Sequence, residues 1–102
     1  MNKIIKDRLP EIKQICEKLG VKSLYLFGSA EKEMFNKNSD FDFLIEFKQS
    51  LSIEEYTDNY FTIHYKLREL LKREIDLVTQ NSLSNPFFIK SIEQNKKLLY
   101  GA

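Results

Sequence analysis

LYLFGSAEKEMFNKNSDFDFLIEF, residues 24–47, decides the fold. An apolar run ends in Gly28-Ser29, a ten-residue polar spacer follows, and Asp40-Phe41-Asp42 opens a second apolar run. Carboxylates at i and i+2 of a strand share one face. Two anions on one face repel unless a cation lies between them. A Gly-Ser turn at the end of a neighbouring strand brings backbone N–H groups against a phosphate. The stretch therefore contains the parts of a site for a metal–nucleotide complex.

Outward from this stretch, strands and helices alternate. Residues 2–19 carry an apolar stripe of Ile5, Leu9, Ile12, Cys16 and Leu19 at helical spacing. Pro10 splits it into a short helix ending near Arg8 and a second starting at Pro10. Gly20 is placed to end that helix. Residues 22–27 read as a strand apolar on both faces, residues 30–37 as a weak helix, and residues 41–47 as a second strand. Ser52-Ile53-Glu54-Glu55 has the form of a capping box and starts a long helix to about Leu71. Its expected buried stripe is Ile53, Tyr56, Tyr60, Ile63, Leu67 and Leu70. Residues 74–79, EIDLVT, form a third strand, and Asn85-Pro86 caps a last helix through about Lys96. Residues 98–100, LLY, fit a last turn or a short edge strand.

The fold class is α/β, or α+β: a small mixed sheet of about three strands flanked by helices. The second and third strands, joined by the long helix, are expected as parallel neighbours. The shorter link between the first two is compatible with antiparallel pairing. A length of 102 residues fits one domain, 1–102.

Asp76, between Ile75 and Leu77, and Asp42, between Phe41 and Phe43, are acids inside apolar strands. Such a carboxylate costs free energy unless it is paired or bound to metal. With Asp40 they make a candidate three-carboxylate set for Mg²⁺. Taken singly, each acid also fits a turn or surface role, and Gly28-Ser29 alone fits an ordinary turn.

Gly-Ser, ten residues, Asp-x-Asp on a strand and a later strand Asp resemble the nucleotidyltransferase superfamily of the DNA polymerase β type, most nearly its minimal nucleotidyltransferases. The likeness covers nearly the whole chain. The Gly-Ser/Asp-x-Asp spacing alone would arise by chance in roughly one chain of this size per thousand. The resemblance implies a two-ion Mg²⁺ site on Asp40, Asp42 and Asp76, with Asp76 helping to deprotonate an acceptor hydroxyl. It implies ATP or another NTP as substrate, with Gly28 and Ser29 against the triphosphate. Where many relatives have Arg-Gly after Gly-Ser, this chain has Ala30-Glu31-Lys32-Glu33. Lys32 would take the arginine's place as a point charge, and Glu31 and Glu33 would oppose a triphosphate if they faced it.

Little of the chain lies beyond such a core, so the acceptor is expected on a partner chain or a second copy. By resemblance, the partner is a small all-α HEPN-domain protein. The chain would then be the antitoxin of a toxin–antitoxin pair, transferring AMP to a hydroxyl of the toxin. The alternatives are a non-catalytic binding module with the same fold, favoured by Glu31 and Glu33, and a nucleotide sensor.

The remaining features bound other functions. Lys plus Arg is 16 and Asp plus Glu is 15, for a net charge of +1, which argues against coating nucleic acid. Cys16 is the single cysteine, so no disulfide forms within one chain, and a reducing, cytoplasmic compartment is expected. The residues MNKIIKDRLPE lack the apolar segment of a secretory signal, and no apolar run reaches the roughly 20 residues of a membrane span. One histidine, His64, excludes a His-based metal site within one chain. Lys66, Arg68, Lys72 and Arg73 suit a solvated helix end, with a phosphate or RNA contact as the sharper reading. Phe87 and Phe88 are expected as core anchors.

Overall fold

A computed structural model describes residues 2–27, 40–79 and 83–101. Its elements are α1 (Lys3–Asp7), α2 (Leu9–Lys18), β1 (Val21–Phe27), β2 (Phe41–Phe47), α3 (Ile53–Leu71), β3 (Ile75–Thr79), α4 (Pro86–Asn95) and β4 (Lys97–Tyr100). The helix expected over 30–37 lies outside the described residues.

Local chemistry sets the helix ends. Asn2 Oδ1 accepts from the Ile4 and Ile5 N–H groups at the start of α1. Pro10 sits in the first turn of α2, where a missing N–H is harmless. Gly20, just past its end, has φ +69°, and a Cβ there would come within 2.9 Å of the Leu51 side chain. The capping box of α3 is complete: Ser52 Oγ accepts from Glu55 N–H and Glu55 Oε1 from Ser52 N–H, both at 3.1 Å. These bonds hold the Glu55 carboxyl below its ordinary value. Asn85 Oδ1 accepts from the Phe87 and Phe88 N–H groups and caps α4.

The sheet order is β3-β2-β1-β4. β2 and β3 are parallel, joined by α3; β1 runs antiparallel to both β2 and β4. The described sheet thus has four strands rather than about three. KLLY pairs with β1 and buries only Leu99, too short a signal to separate strand from turn in sequence, yet it closes an edge that β1 would otherwise leave unpaired.

Both sheet faces are covered, as the doubly apolar β1 implies. On one, Leu24, Leu26, Phe41, Phe43 and Ile45 pack with Ile5, Ile12 and Cys16 of the first two helices and Ile63 and Leu67 of α3. On the other, Phe27 and Leu44 meet Ile92 of α4. Two hydrogen bonds anchor α3: Tyr60 Oη donates to the Leu77 carbonyl at 2.6 Å, and Asn59 Nδ2 to the Leu19 carbonyl at 2.8 Å. Ile53 is not part of the buried stripe; it is 86% exposed. The last residue of β2, Phe47, packs edge-on against Tyr56, one turn further into the helix, so the first turn overhangs the sheet. Phe87 and Phe88 are likewise not core anchors but exposed, Phe87 fully on the outer side of the first turn of α4. No described helix is long and apolar enough to cross a membrane.

Cys16 is fully buried, and burial pushes its thiol up to about 12. The folded protein should be inert to a thiol reagent at neutral pH and react with one equivalent in denaturant. Phe43→Ala should destabilise by about 3–5 kcal/mol, read from a chemical denaturation midpoint.

Candidate active site

Strand register builds the site. In the parallel β2/β3 pair Asp42 lies opposite Asp76, and in the antiparallel β1/β2 pair Phe27 lies opposite Asp42. Neighbouring strands are about 4.8 Å apart, so Phe27, Asp42 and Asp76 form one row across three strands. Side chains alternate along β2, and Phe41 and Phe43 enter the core beneath α3. Asp42 therefore points to the opposite face, that of Leu44 and α4. The same alternation places Asp76 between the core residues Ile75 and Leu77.

The row forms the floor of a cavity of about 260 Å³ lined by Phe27, Asp42, Asp76, Val78, Phe88, Ser91, Ile92 and Asn95. The α4 wall was not anticipated. Its residues 88, 91, 92 and 95 recur at three- and four-residue steps, the signal that would have identified it. Phe88 packs edge-on against Phe27, with ring centroids 6.1 Å apart. Its exposed edge borders the cavity instead of filling the core. Asn95 donates from Nδ2 to the Ser91 carbonyl at 2.8 Å.

Asp42 is half-buried, while Asp76 and Asp40 are exposed. Burial pushes the Asp42 carboxyl up to about 6, and the negative charge of Asp76, a hydrogen bond to it and the charge of Asp40 add to the rise. Asp42 thus keeps its proton to a higher pH than an ordinary carboxyl, and a cation bound beside it would displace that proton. Asp40, one residue ahead of β2, is felt as a charge. Among the described residues no group of three acidic, histidine or cysteine side chains is gathered as a metal cluster. The structure thus brings Asp42 and Asp76 together and leaves Asp40 beside them. Carboxylate oxygens are hard donors of the kind Mg²⁺ takes, and two opposed anions are relieved by it, so the donor chemistry fits such an ion.

Gly28, Ser29 and Lys32, with Glu31 and Glu33, lie outside the described residues. His64, Lys66 and Arg68 lie on α3, which covers the sheet face opposite the carboxylates, and Lys72 and Arg73 lie in the turn between α3 and β3.

A family model described as a nucleotidyltransferase domain matches residues 9–99. The chain belongs to this family. It is a nucleotidyltransferase, as the resemblance of its sequence implied. Two proteins of Methanocaldococcus jannaschii named as candidate protein adenylyltransferases are similar to this nucleotidyltransferase. MJ1217 is 38% identical over 94 residues, covering 89% of this chain and 90% of its own. MJ0126 is 36% identical over 85 residues, covering 81% of each. Among solved structures, a candidate minimal nucleotidyltransferase aligns with TM-score 0.71 at 19% identity, covering 91% of this chain and 90% of that one. A chain from a toxin–antitoxin crystal structure with AMP-PNP aligns with TM-score 0.70 at 23% identity, covering 92% of this chain and 73% of that one. A chain from a complex of tri-AMPylated Shewanella oneidensis HEPN toxin with MNT antitoxin aligns with TM-score 0.65 at 20% identity, covering 95% and 72%. At these identities the likeness is one of fold: the mixed sheet flanked by helices is that of the minimal nucleotidyltransferases.

The raised Asp42 carboxyl has a stability consequence. Its ordinary value is 3.8 and its folded value about 6, so the folded state holds this proton more tightly than the unfolded chain. Stability then falls as pH rises between these values, and the full penalty is present above the folded value. In buffer free of divalent cations, Asp42→Asn should melt higher than the parent protein at mildly alkaline pH. The two should converge near pH 4, as followed by thermal melts across pH.

Proposed function

We propose that this nucleotidyltransferase moves AMP from ATP to a hydroxyl of a partner protein in an Mg²⁺-dependent reaction, as the antitoxin of a HEPN toxin–antitoxin pair. The observation that carries the chemistry is the juxtaposition of Asp42 and Asp76 on parallel strands at the floor of an open cavity. A surface domain gains nothing from two mutually repelling carboxylates. A phosphoryl-transfer site needs them to hold cations against a polyphosphate.

Asp40, Asp42 and Asp76 would hold Mg²⁺, which when bound offsets the charge on the attacking and leaving oxygens. Asp76, the more exposed of the strand pair, takes the proton from the acceptor hydroxyl. The freed oxygen forms a bond to the α-phosphorus as the bond from that phosphorus to the bridging oxygen breaks, and pyrophosphate leaves with its electron pair. Phe27, Phe88 and Ile92 give the cavity an apolar wall that keeps bulk water from competing with the acceptor. Gly28 and Ser29 follow Phe27 directly and are assigned to the triphosphate, with Lys32 as the nearby cation.

The choice of acceptor is supported by the curated relatives named for adenylyl transfer to protein and by the fold shared with chains of toxin–antitoxin complexes. A hydroxyl on a folded partner suits a cavity open on one side, because the acceptor enters from outside while the nucleotide stays on the sheet.

The test is label transfer from ATP radiolabelled in the α-phosphate to a co-expressed HEPN protein. Transfer should require Mg²⁺, stop with chelator, and fall on the order of 100-fold or more in Asp42→Asn and in Asp76→Asn. Tight partner binding without any transfer would replace catalysis with neutralisation by contact. Mg·ATP that fails to raise the melting temperature would remove nucleotide binding altogether.

A further inference from the structure

The outer face of α3 carries side chains in an order that is complementary in charge to its own reverse. Going along the helix, the face presents Glu54, Asp58, Phe61, Tyr65, Arg68 and, as the cap residue, Lys72. At 100° per residue the five within the helix fall inside an arc of about 80°. That arc lies opposite the buried Ile63 and Leu67. Phe61 is 66% and Tyr65 56% exposed, two large aromatics adjacent on a helix surface facing solvent. The acidic pair lies wholly N-terminal to them and the basic pair wholly C-terminal.

The three pairs Glu54/Lys72, Asp58/Arg68 and Phe61/Tyr65 are all centred on position 63. If two copies of α3 pack antiparallel about a two-fold axis at that level, each acid meets a base of the other copy. Phe61 of one copy then meets Tyr65 of the other. Exposed Glu69 falls opposite Thr57, so this register sets no like charges against each other. Among the described residues Glu54, Asp58 and Lys72 have no ion-pair partner, and Arg68 leans over the Tyr65 ring at 5.8 Å. A partner of unrelated sequence would have no need of this symmetry, whereas a two-fold interface requires it.

We propose that the outer face of α3 is a homodimerisation surface on which a second copy of this chain docks antiparallel, at a shallow crossing of about 20°. A groove of about 320 Å³ beside Phe61, lined by Tyr56, Thr57, Tyr60, Leu77 and Thr79, adds apolar surface at the margin of the contact. The carboxylate cavity lies on the other face of the sheet, so the dimer presents two catalytic clefts facing outward.

Sedimentation velocity on the full chain over a concentration series should show a monomer–dimer equilibrium. Phe61→Asp should leave monomer at every concentration while circular dichroism shows the fold retained. Asp58→Arg alone and Arg68→Asp alone should each weaken self-association at least about tenfold. Mixed in equal amounts, these two variants should form a heterodimer, because each arginine then meets an aspartate. A parent protein that stays monomeric would overturn the proposal, even if Phe61→Asp abolished binding to a HEPN protein and so assigned the face to that partner. Dimers indifferent to Phe61→Asp, or single variants that fail to rescue each other, would overturn it equally.

Discussion

Two carboxylates on adjacent parallel strands cannot both ionise freely, and the architecture around the cavity follows from that conflict. The β2/β3 register sets Asp42 opposite Asp76. Every neighbouring residue of both strands that points the other way is committed to the main core. Phe41, Phe43, Ile75 and Leu77 are all buried there. Burial of those four prevents the strands from sliding or splaying to relieve the repulsion. The conflict shows instead in the raised Asp42 carboxyl, and a cation bound between the two acids would relieve it.

The second sheet face is thinner than the first, and this thinness makes room for chemistry. Three buried residues, Phe27, Leu44 and Ile92, join α4 to the sheet. Beyond them the helix stands off far enough to leave the carboxylates open. The link between α4 and β4 is the single residue Lys96, whose ammonium lies 4.3 Å from the centroid of the Tyr25 ring and 3.0 Å from Glu93 Oε1. Pairing of β4 with β1 therefore also fixes the far end of the helix that walls the cavity.

What was legible in the sequence was local and periodic. The capping box, Pro10, Gly20 and Asn85-Pro86 mark helix boundaries because each satisfies a backbone group within a few residues. The parallel pairing of β2 and β3 follows from the long helix between them, and it sets the strands of Asp42 and Asp76 side by side. Whatever depended on the reach of the sheet was not legible. Ile53 keeps helical phase with the core but overhangs its edge. Phe88 has the composition of an anchor but meets a cavity, and KLLY becomes a strand only because β1 offers it an edge. Such outcomes are decided by tertiary geometry that no short window contains.

The parallel register at Asp76 has a consequence for evolution as well. Sliding β3 by one residue against β2 would carry this acid from the cavity into the layer of Phe43 and Ile45, where an unpaired charge is intolerable. The acid thus guards the pairing that places it. A descendant that abandoned its chemistry would still fold more faithfully with a carboxylate at this position. Within such lineages a retained acid here would record selection on assembly of the sheet as well as on the proposed activity, and Asp42, whose burial burdens the fold, would be the more telling witness of that activity.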